Sequence, residues 1–240
     1  MNTWKQAFWL AKFELKASIA NIFLCWFILS ILGFLFLTSF NDYLENNYAG
    51  FDIFFLLIFS YAPYWLRSSH FQFKKLSDHM YASPTLIMQI QLPIPKDALI
   101  KSRLIVYLAY LLPFMFTIFP IFYMMNSPIR DSIDIPTYLI FVLIWISYGL
   151  YFGIIVPASD TGQYITSKIM LYHLLIFFVI VMSLIVLFYL LFEIGIVAWT
   201  MMLAQDWALL TTVISIGLVI LSWKFWSNQM KKTIKKLDYL

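Results

Sequence analysis

The stretch IMLYHLLIFFVIVMSLIVLFYLLF, Ile169–Phe192, holds no Asp, Glu, Lys or Arg along its whole length. An α-helix rises 1.5 Å per residue, so about 20 apolar residues cross a hydrocarbon core about 30 Å thick. Working outward from this run, comparable apolar stretches lie at Ile19–Phe40, Phe51–Leu66, Leu104–Met125, Tyr138–Ala158 and Trp207–Trp226. Phe51–Leu66 falls slightly short unless its flanks are included. The pattern predicts an all-α integral membrane protein with six transmembrane helices.

Composition sets the same class. Hydrophobic residues make up 62% and charged residues 12%, against about 25% charged in an ordinary soluble domain. No stretch is polar enough to form a separate soluble domain, so residues 1–240 read as a single transmembrane domain. Its attachments are an interfacial helix over 1–18, a loop over 67–103 and a basic tail over 227–240. The first apolar run exceeds a signal h-region and lacks a small-residue cleavage site, so it is expected to stay in the mature chain. Cys25 is the only cysteine, which excludes an internal disulfide and any cysteine-based metal site.

Charge orients the spans. All the lysines and arginines except Arg130 fall before span one, between spans two and three, between four and five, or at and after the end of span six. The alternate loops collect Asp42, Glu45, Asp52, Asp131, Asp134, Glu193 and Asp206. Basic loops stay in the cytoplasm, so both termini are expected there. Ahead of span one, Trp4, Phe8, Ala11 and Leu15 follow a helical rhythm beside a stripe of Lys5, Lys12 and Lys16. Such a helix lies in the membrane interface, its lysines reaching lipid phosphates. It serves either as a topology anchor or as an elbow bracing the bundle.

The loop Arg67–Arg103 is long for a helix connection, which usually takes about 2–8 residues. Ser68–Met80 contains helix-compatible residues with a serine cap candidate. Ser83-Pro84 restarts a helix, Leu92-Pro93-Ile94-Pro95 breaks it, and Lys96 begins the approach to span three. Two readings stand: a docking surface for a soluble partner, or a solvated loop whose charges only enforce topology. His70 and His79, nine apart in sequence, do not have a two-ligand helical spacing and read as surface histidines.

Within the spans, ionisable groups are sparse, which argues against a carrier driven by an ion gradient. Neither HExxH nor G-x-S-x-G is present, nor the G-x-x-x-x-G-K-[ST] loop that cradles nucleotide phosphates. Pro113 and Pro120 should kink or break span three. Gly149 and Gly153 form a G-x-x-x-G pair that lets another helix approach closely, and Pro157 ends that helix. Lys231, Lys232, Lys235 and Lys236 make one basic face of the tail, expected on anionic lipid.

The layout resembles the membrane subunits of ABC-2 type exporters. Phe71-Gln72-Phe73-Lys74-Lys75, Leu92-Pro93-Ile94 and Lys101-Ser102-Arg103 resemble that family's loop between spans two and three. In the family this loop carries the coupling helix that inserts into a cleft of the ATPase subunit. The resemblance therefore implies ATPase coupling through Phe71, Gln72, Phe73, Lys74, Lys75, Leu76 and Asp78. Lys74-Lys75 stands where the family often has an acidic residue. Membership would imply a second copy or a homologue of this chain over two ABC ATPase subunits in a bacterial cytoplasmic membrane. ATP and magnesium would sit on those partners, with no cofactor on this chain and no nucleic acid. The short chain is also similar to subunits exporting amphipathic peptides, including phenol-soluble modulin exporters and lantibiotic immunity transporters. A membrane enzyme or assembly factor whose basic loop binds lipid headgroups is the alternative. A secondary transporter built of paired repeats is disfavoured because the halves show no internal repeat.

Overall fold

The computed structural model describes residues 2–46, 48–60, 67–77 and 79–236, with backbone alone for Leu29, Leu37 and Asn41. Met1, Asp78, residues 61–66 of the second expected span and residues 237–240 of the basic tail lie outside the described residues. Helices dominate: α1 Thr3–Ala17, α2 Ile19–Asn46, α3 Ala49–Ser60, α4 Pro84–Ile90, α5 Lys96–Met125, α6 Ser127–Ser132 and α7 Ile135–Gly153. They continue as α8 Ile155–Ser159, α9 Ser167–Phe192, α10 Ile196–Asp206 and α11 Ala208–Lys236. Three short strands, β1 Lys74–Lys75, β2 Met80–Ala82 and β3 Gln163–Tyr164, form one antiparallel sheet in the order β1-β2-β3.

Among the described residues, five helical segments are long and apolar enough to cross a bilayer: Ile19–Phe40, Lys96–Met125, Ile135–Ser159, Ser167–Phe192 and Ala208–Lys236. The protein is an all-α multi-pass membrane protein. The second expected span is represented by α3, whose 12 residues cover only about 18 Å at helical rise. Its continuation falls in residues 61–66, outside the described part.

Local chemistry explains the boundaries. The Asn2 side chain accepts the Trp4 N–H at 3.1 Å and starts α1, Asp134 accepts from Thr137 at 3.2 Å to start α7, and Thr166 accepts from Ile169 at 3.4 Å to start α9. Pro157 lacks the N–H that would reach back to Gly153, so the fourth span breaks at Ile154 into α7 and α8. Of the expected kink or break at Pro113 and Pro120, no break occurs: α5 runs through both prolines without interruption, and Thr117 Oγ1 donates to the Pro113 carbonyl at 2.8 Å. Prolines are tolerated in such helices when side chains and neighbouring helices re-satisfy the freed backbone groups.

The segment between α3 and α5 corrects a second expectation. The described residues of the stretch Ser68–Met80 form no helix. Its chain turns and runs into a hairpin in which Lys74 faces Ala82 and Lys75 faces Tyr81. The far side of β2 pairs with β3, Met80 opposite Tyr164. All three β2 residues are buried, and burial forces their backbone groups into ladder hydrogen bonds rather than leaving them in water. Among the described residues of this segment the one helix is α4, starting at Pro84 as the Ser83-Pro84 pair predicts.

Aromatic rings fill the core. Tyr43 stacks on Phe51 at 4.4 Å, Phe55 meets Trp145 at 4.5 Å, and Phe59 stacks on Phe119 at 4.8 Å. Gly149 and Gly153 sit where α3 crosses α7. A Cβ on Gly149 would lie 2.6 Å from the Phe59 carbonyl oxygen, and one on Gly153 would lie 2.8 Å from that of Ser60 and collide with the Tyr107 hydroxyl. The opposite case is Gly217 in α11, where a Cβ would meet nothing within 4 Å.

Gly149→Val should therefore lower stability by about 1–3 kcal/mol through overpacking against a backbone atom. Gly217→Ala should raise it by up to about 1 kcal/mol through helix propensity. Thermal unfolding of the purified protein in one detergent, read side by side for both variants, checks the pair.

Candidate functional site: two buried polar centres and an aromatic groove

The first centre lies where α1, α5, the segment after α3 and the turn after α8 converge. Arg67 is fully buried, as are Glu14, Arg103 and Asp160. Arg67 Nη1 donates to Glu14 Oε1 at 3.1 Å and to Asp160 Oδ2 at 3.0 Å, while its Nη2 donates to both Asp160 oxygens at 3.0 Å. The same Nη2 reaches the Phe71 carbonyl. On the other side, Arg103 Nη2 lies 2.5 Å from Glu14 Oε2. The order is thus Arg103, Glu14, Arg67, Asp160, alternating in sign with no net charge.

Withdrawing each charge from water costs several kcal/mol, returned only by close, multiply bonded partners. The planar guanidinium fork meets that need for Asp160. Burial is the largest influence on the Glu14 carboxyl and raises its pKa above the ordinary value, with Arg103 and Arg67 pulling against it. Arg103 is the less satisfied cation, since its Nε and Nη1 have no hydrogen-bond partner among the described residues. The backbone joins in: the Asp160 carbonyl accepts the Ser83 N–H at 3.1 Å, and the Gln72 side chain donates to the Arg67 carbonyl. The sheet and α4 are thereby rooted in the same four charges.

The second centre lies toward the opposite end of α2. Buried Asp52 of α3 accepts from Tyr43 Oη at 2.8 Å, from the Ile196 N–H at 2.7 Å and from the Val197 N–H at 2.9 Å. Tyr189 of α9 donates to it as well. The carboxylate caps α10 from outside, because Gly195 at the cap position offers no side chain. A helix N-terminus favours a negative charge at this place. Asp52 consequently ties α2, α3, α9 and α10 together.

Between the two centres runs a groove of about 590 Å3 bounded by α7, α10 and α11. Its walls carry Trp145, Tyr148, Tyr151, Trp199 and Trp207. Several polar atoms there are engaged within the protein: Trp145 Nε1 donates to Thr200 Oγ1 at 3.1 Å, Thr200 Oγ1 to the Val197 carbonyl at 2.7 Å, and Tyr148 Oη to the Leu56 carbonyl at 3.3 Å. The open surface is mainly aromatic and aliphatic, suited to an apolar chain or helix face rather than a polar solute. One neighbouring helix, α9, stands largely clear of the bundle, with every residue from 171 to 180 exposed.

The residues singled out in the sequence are distributed around these features. Phe71 is buried, with its ring edge-on to Phe13 at 6.4 Å. Phe73 stacks on Tyr81 at 5.7 Å, and Gln72 is half-buried beside Arg67. Lys74, Lys75 and Leu76 are exposed on the hairpin, and Asp78 lies outside the described residues. On α1, Trp4, Lys5, Phe8, Lys12 and Lys16 all face outward. The face that packs against α5 is Ala7, Leu10, Ala11 and Glu14; of the stripe read as lying in the membrane interface, Trp4 and Phe8 are exposed, Leu15 is half-buried and Ala11 is buried. Small side chains let the two helices approach, which leaves the large rings outside. His70 and His79 are exposed, and no group of three metal-ligating side chains occurs among the described residues.

Sequence reasoning missed Glu14, Asp160 and the burial of Arg67, Arg103 and Asp52. A signal existed for Glu14: it continues the i, i+3, i+4, i+7 series of Ala7, Leu10 and Ala11 and is the one acid in a basic segment. No family model, curated protein or solved structure matches the chain.

Arg67→Leu should destabilise the protein by about 3–5 kcal/mol, because it leaves Asp160 buried without its fork. Adding Asp160→Leu should recover part of that loss. Chemical or thermal unfolding of the two single variants and the double variant measures the coupling.

Proposed function

We propose that this chain is the membrane-embedded subunit of an ATP-driven exporter, powered by a separate ABC ATPase. The observation that carries the reading is the rooting of the 67–95 segment. An exposed basic hairpin and a short helix stand on a buried ionic centre that also holds α1, α5 and the turn after α8. A force applied to the hairpin or to α4 is delivered to three parts of the bundle at once. Lys74 and Lys75 on β1, Leu76 beyond it, and Met88 and Leu92 around the end of α4 are the exposed groups an ATPase cleft would grip. The docking element is therefore a hairpin followed by α4, in place of a helix over Phe71–Met80.

The groove supplies the other half of the reading. An amphipathic or hydrophobic substrate, such as a toxin or antimicrobial peptide, already concentrates in the membrane by its apolar face. Entering sideways, it would meet Trp145, Tyr148, Trp199 and Trp207 without leaving an apolar environment. The exposed rings of Phe23 and Phe27 on α2 and the surface of α9 offer contact to lipid or to a second copy. By the positive-inside rule the hairpin and both termini face the cytoplasm, where ATP is. A membrane enzyme or lipid-binding assembly factor is the competing function.

Purification of the tagged chain in gentle detergent, followed by mass spectrometry, tests the proposal. A stoichiometric P-loop ATPase should co-purify and should fall at least tenfold in the Lys74→Glu/Lys75→Glu variant, whose substituted residues are exposed. A well-folded preparation with no ATPase partner contradicts the exporter reading.

A further inference from the structure

At the lysine-rich end of the molecule, α1, the first turns of α5 and the last turns of α11 meet around a cleft of about 260 Å3. Ile100 and Leu104 are buried beneath it, Trp4 and Trp223 flank it, and Lys101, Lys224 and Lys231 converge on it. Lys101 is held in place, its Nζ 4.4 Å from the centre of the Trp4 ring and donating to Thr3 Oγ1 at 3.1 Å. Lys231 pairs with Asp97 at 3.0 Å, but both side chains are about half exposed, at 44% and 50%, and such a pair exchanges readily for a better anion. Lys224 is exposed and makes no ion pair among the described residues. Three lysines against Asp97 leave two positive charges in excess, beside the hydroxyl of Ser227 and the amide of Asn228.

The cleft is also placed at a particular depth. One turn back along α11 from Lys224, Ile220 and Leu221 are exposed at 62% and 65%, on a helix apolar enough to cross a bilayer. Tryptophans concentrate at the level where headgroups give way to acyl chains, and two of them stand at this mouth. The lysines therefore sit above hydrocarbon, and the apolar wall continues downward from them. A soluble anion would use only the upper half of this arrangement. An anionic phospholipid uses both.

We propose that this cleft binds the headgroup phosphate of an anionic phospholipid between Lys101, Lys224 and Lys231, with the acyl chains running along Ile220 and Leu221 of α11. The bound lipid would bridge α1, α5 and α11 at the membrane surface. The proposal rests on the membrane placement of α5 and α11 and is independent of the exporter reading.

Native mass spectrometry of the full chain, released from detergent with added phosphatidylglycerol or phosphatidylcholine, tests it. The native chain should retain one phosphatidylglycerol in preference to phosphatidylcholine. Retention should fall about fivefold for each lysine removed, in Lys224→Ala and then in Lys101→Ala/Lys224→Ala. Lys168→Ala, which removes an exposed lysine outside the cleft, should leave retention unchanged. Lys224→Glu, an exposed position whose substitution does not disturb packing, should abolish the preference. Equal retention of both lipids, or unchanged retention in Lys224→Glu, overturns the proposal. Complete displacement of the lipid by millimolar glycerol phosphate also overturns it, because the cleft would then recognise a free phosphate rather than a lipid.

Discussion

The guanidinium of Arg67 is the constraint on which the rest of the structure depends. It lies fully buried between Glu14 and Asp160 and also holds the Phe71 carbonyl. A charge in that position tolerates few alternatives: either every partner is in place or the site pays the cost of an unpaired ion. The position of α1 against α5, the root of the hairpin and the turn after α8 are all fixed by meeting that one condition. Arg103 extends it into α5 through Glu14. Asp52 performs the corresponding task toward the other end of α2, where its carboxylate substitutes for the missing cap of α10.

The two polar centres differ in a way that bears on motion. Asp52 is bonded to helix ends and tyrosines, in surroundings packed with rings such as Tyr43 and Phe51. The Arg67 centre sits instead beneath a short sheet with an exposed basic edge, and one of its cations, Arg103, still carries donors with no partner among the described residues. Low-stability elements are where proteins switch, and a sheet made of two- and three-residue strands depends heavily on the charges that root it. The groove between them is walled by α7, α10 and α11. Its α10 wall is capped by the Asp52 centre, while its α7 wall leads through α8 to Asp160 of the Arg67 centre. The groove is thus joined to both centres through elements that have named bonds.

Much of the architecture was legible because hydrophobic length is a property of contiguous residues. Ile169–Phe192 and the other long runs could be read directly, as could the helix starting at Ser83-Pro84 and the break before Pro157. What was illegible depends on partners far apart in sequence. Arg67 meets Glu14 across 53 residues and Asp160 across 93, so in sequence it could only be counted as one more topology charge. The hairpin was masked for the same reason. Ser68–Met80 has nothing locally that forbids a helix, and its strand character is imposed by β3, where Met80 meets Tyr164. On α1 the aromatic and lysine residues could be read as an interfacial face, but the opposite face, where small Ala7 and Ala11 permit the close approach to α5, depends on a partner far along the chain.

The most direct test is hydrogen exchange on the protein in nanodiscs, comparing the native chain with Arg67→Gln. The account predicts that amide protection at Met80–Ala82, in α4 and in α1 is lost together, while Ile196 and Val197 beside Asp52 keep theirs. Protection that is unchanged over the sheet, or lost equally at both ends of the molecule, would contradict the claim that Arg67 alone roots this end of the bundle.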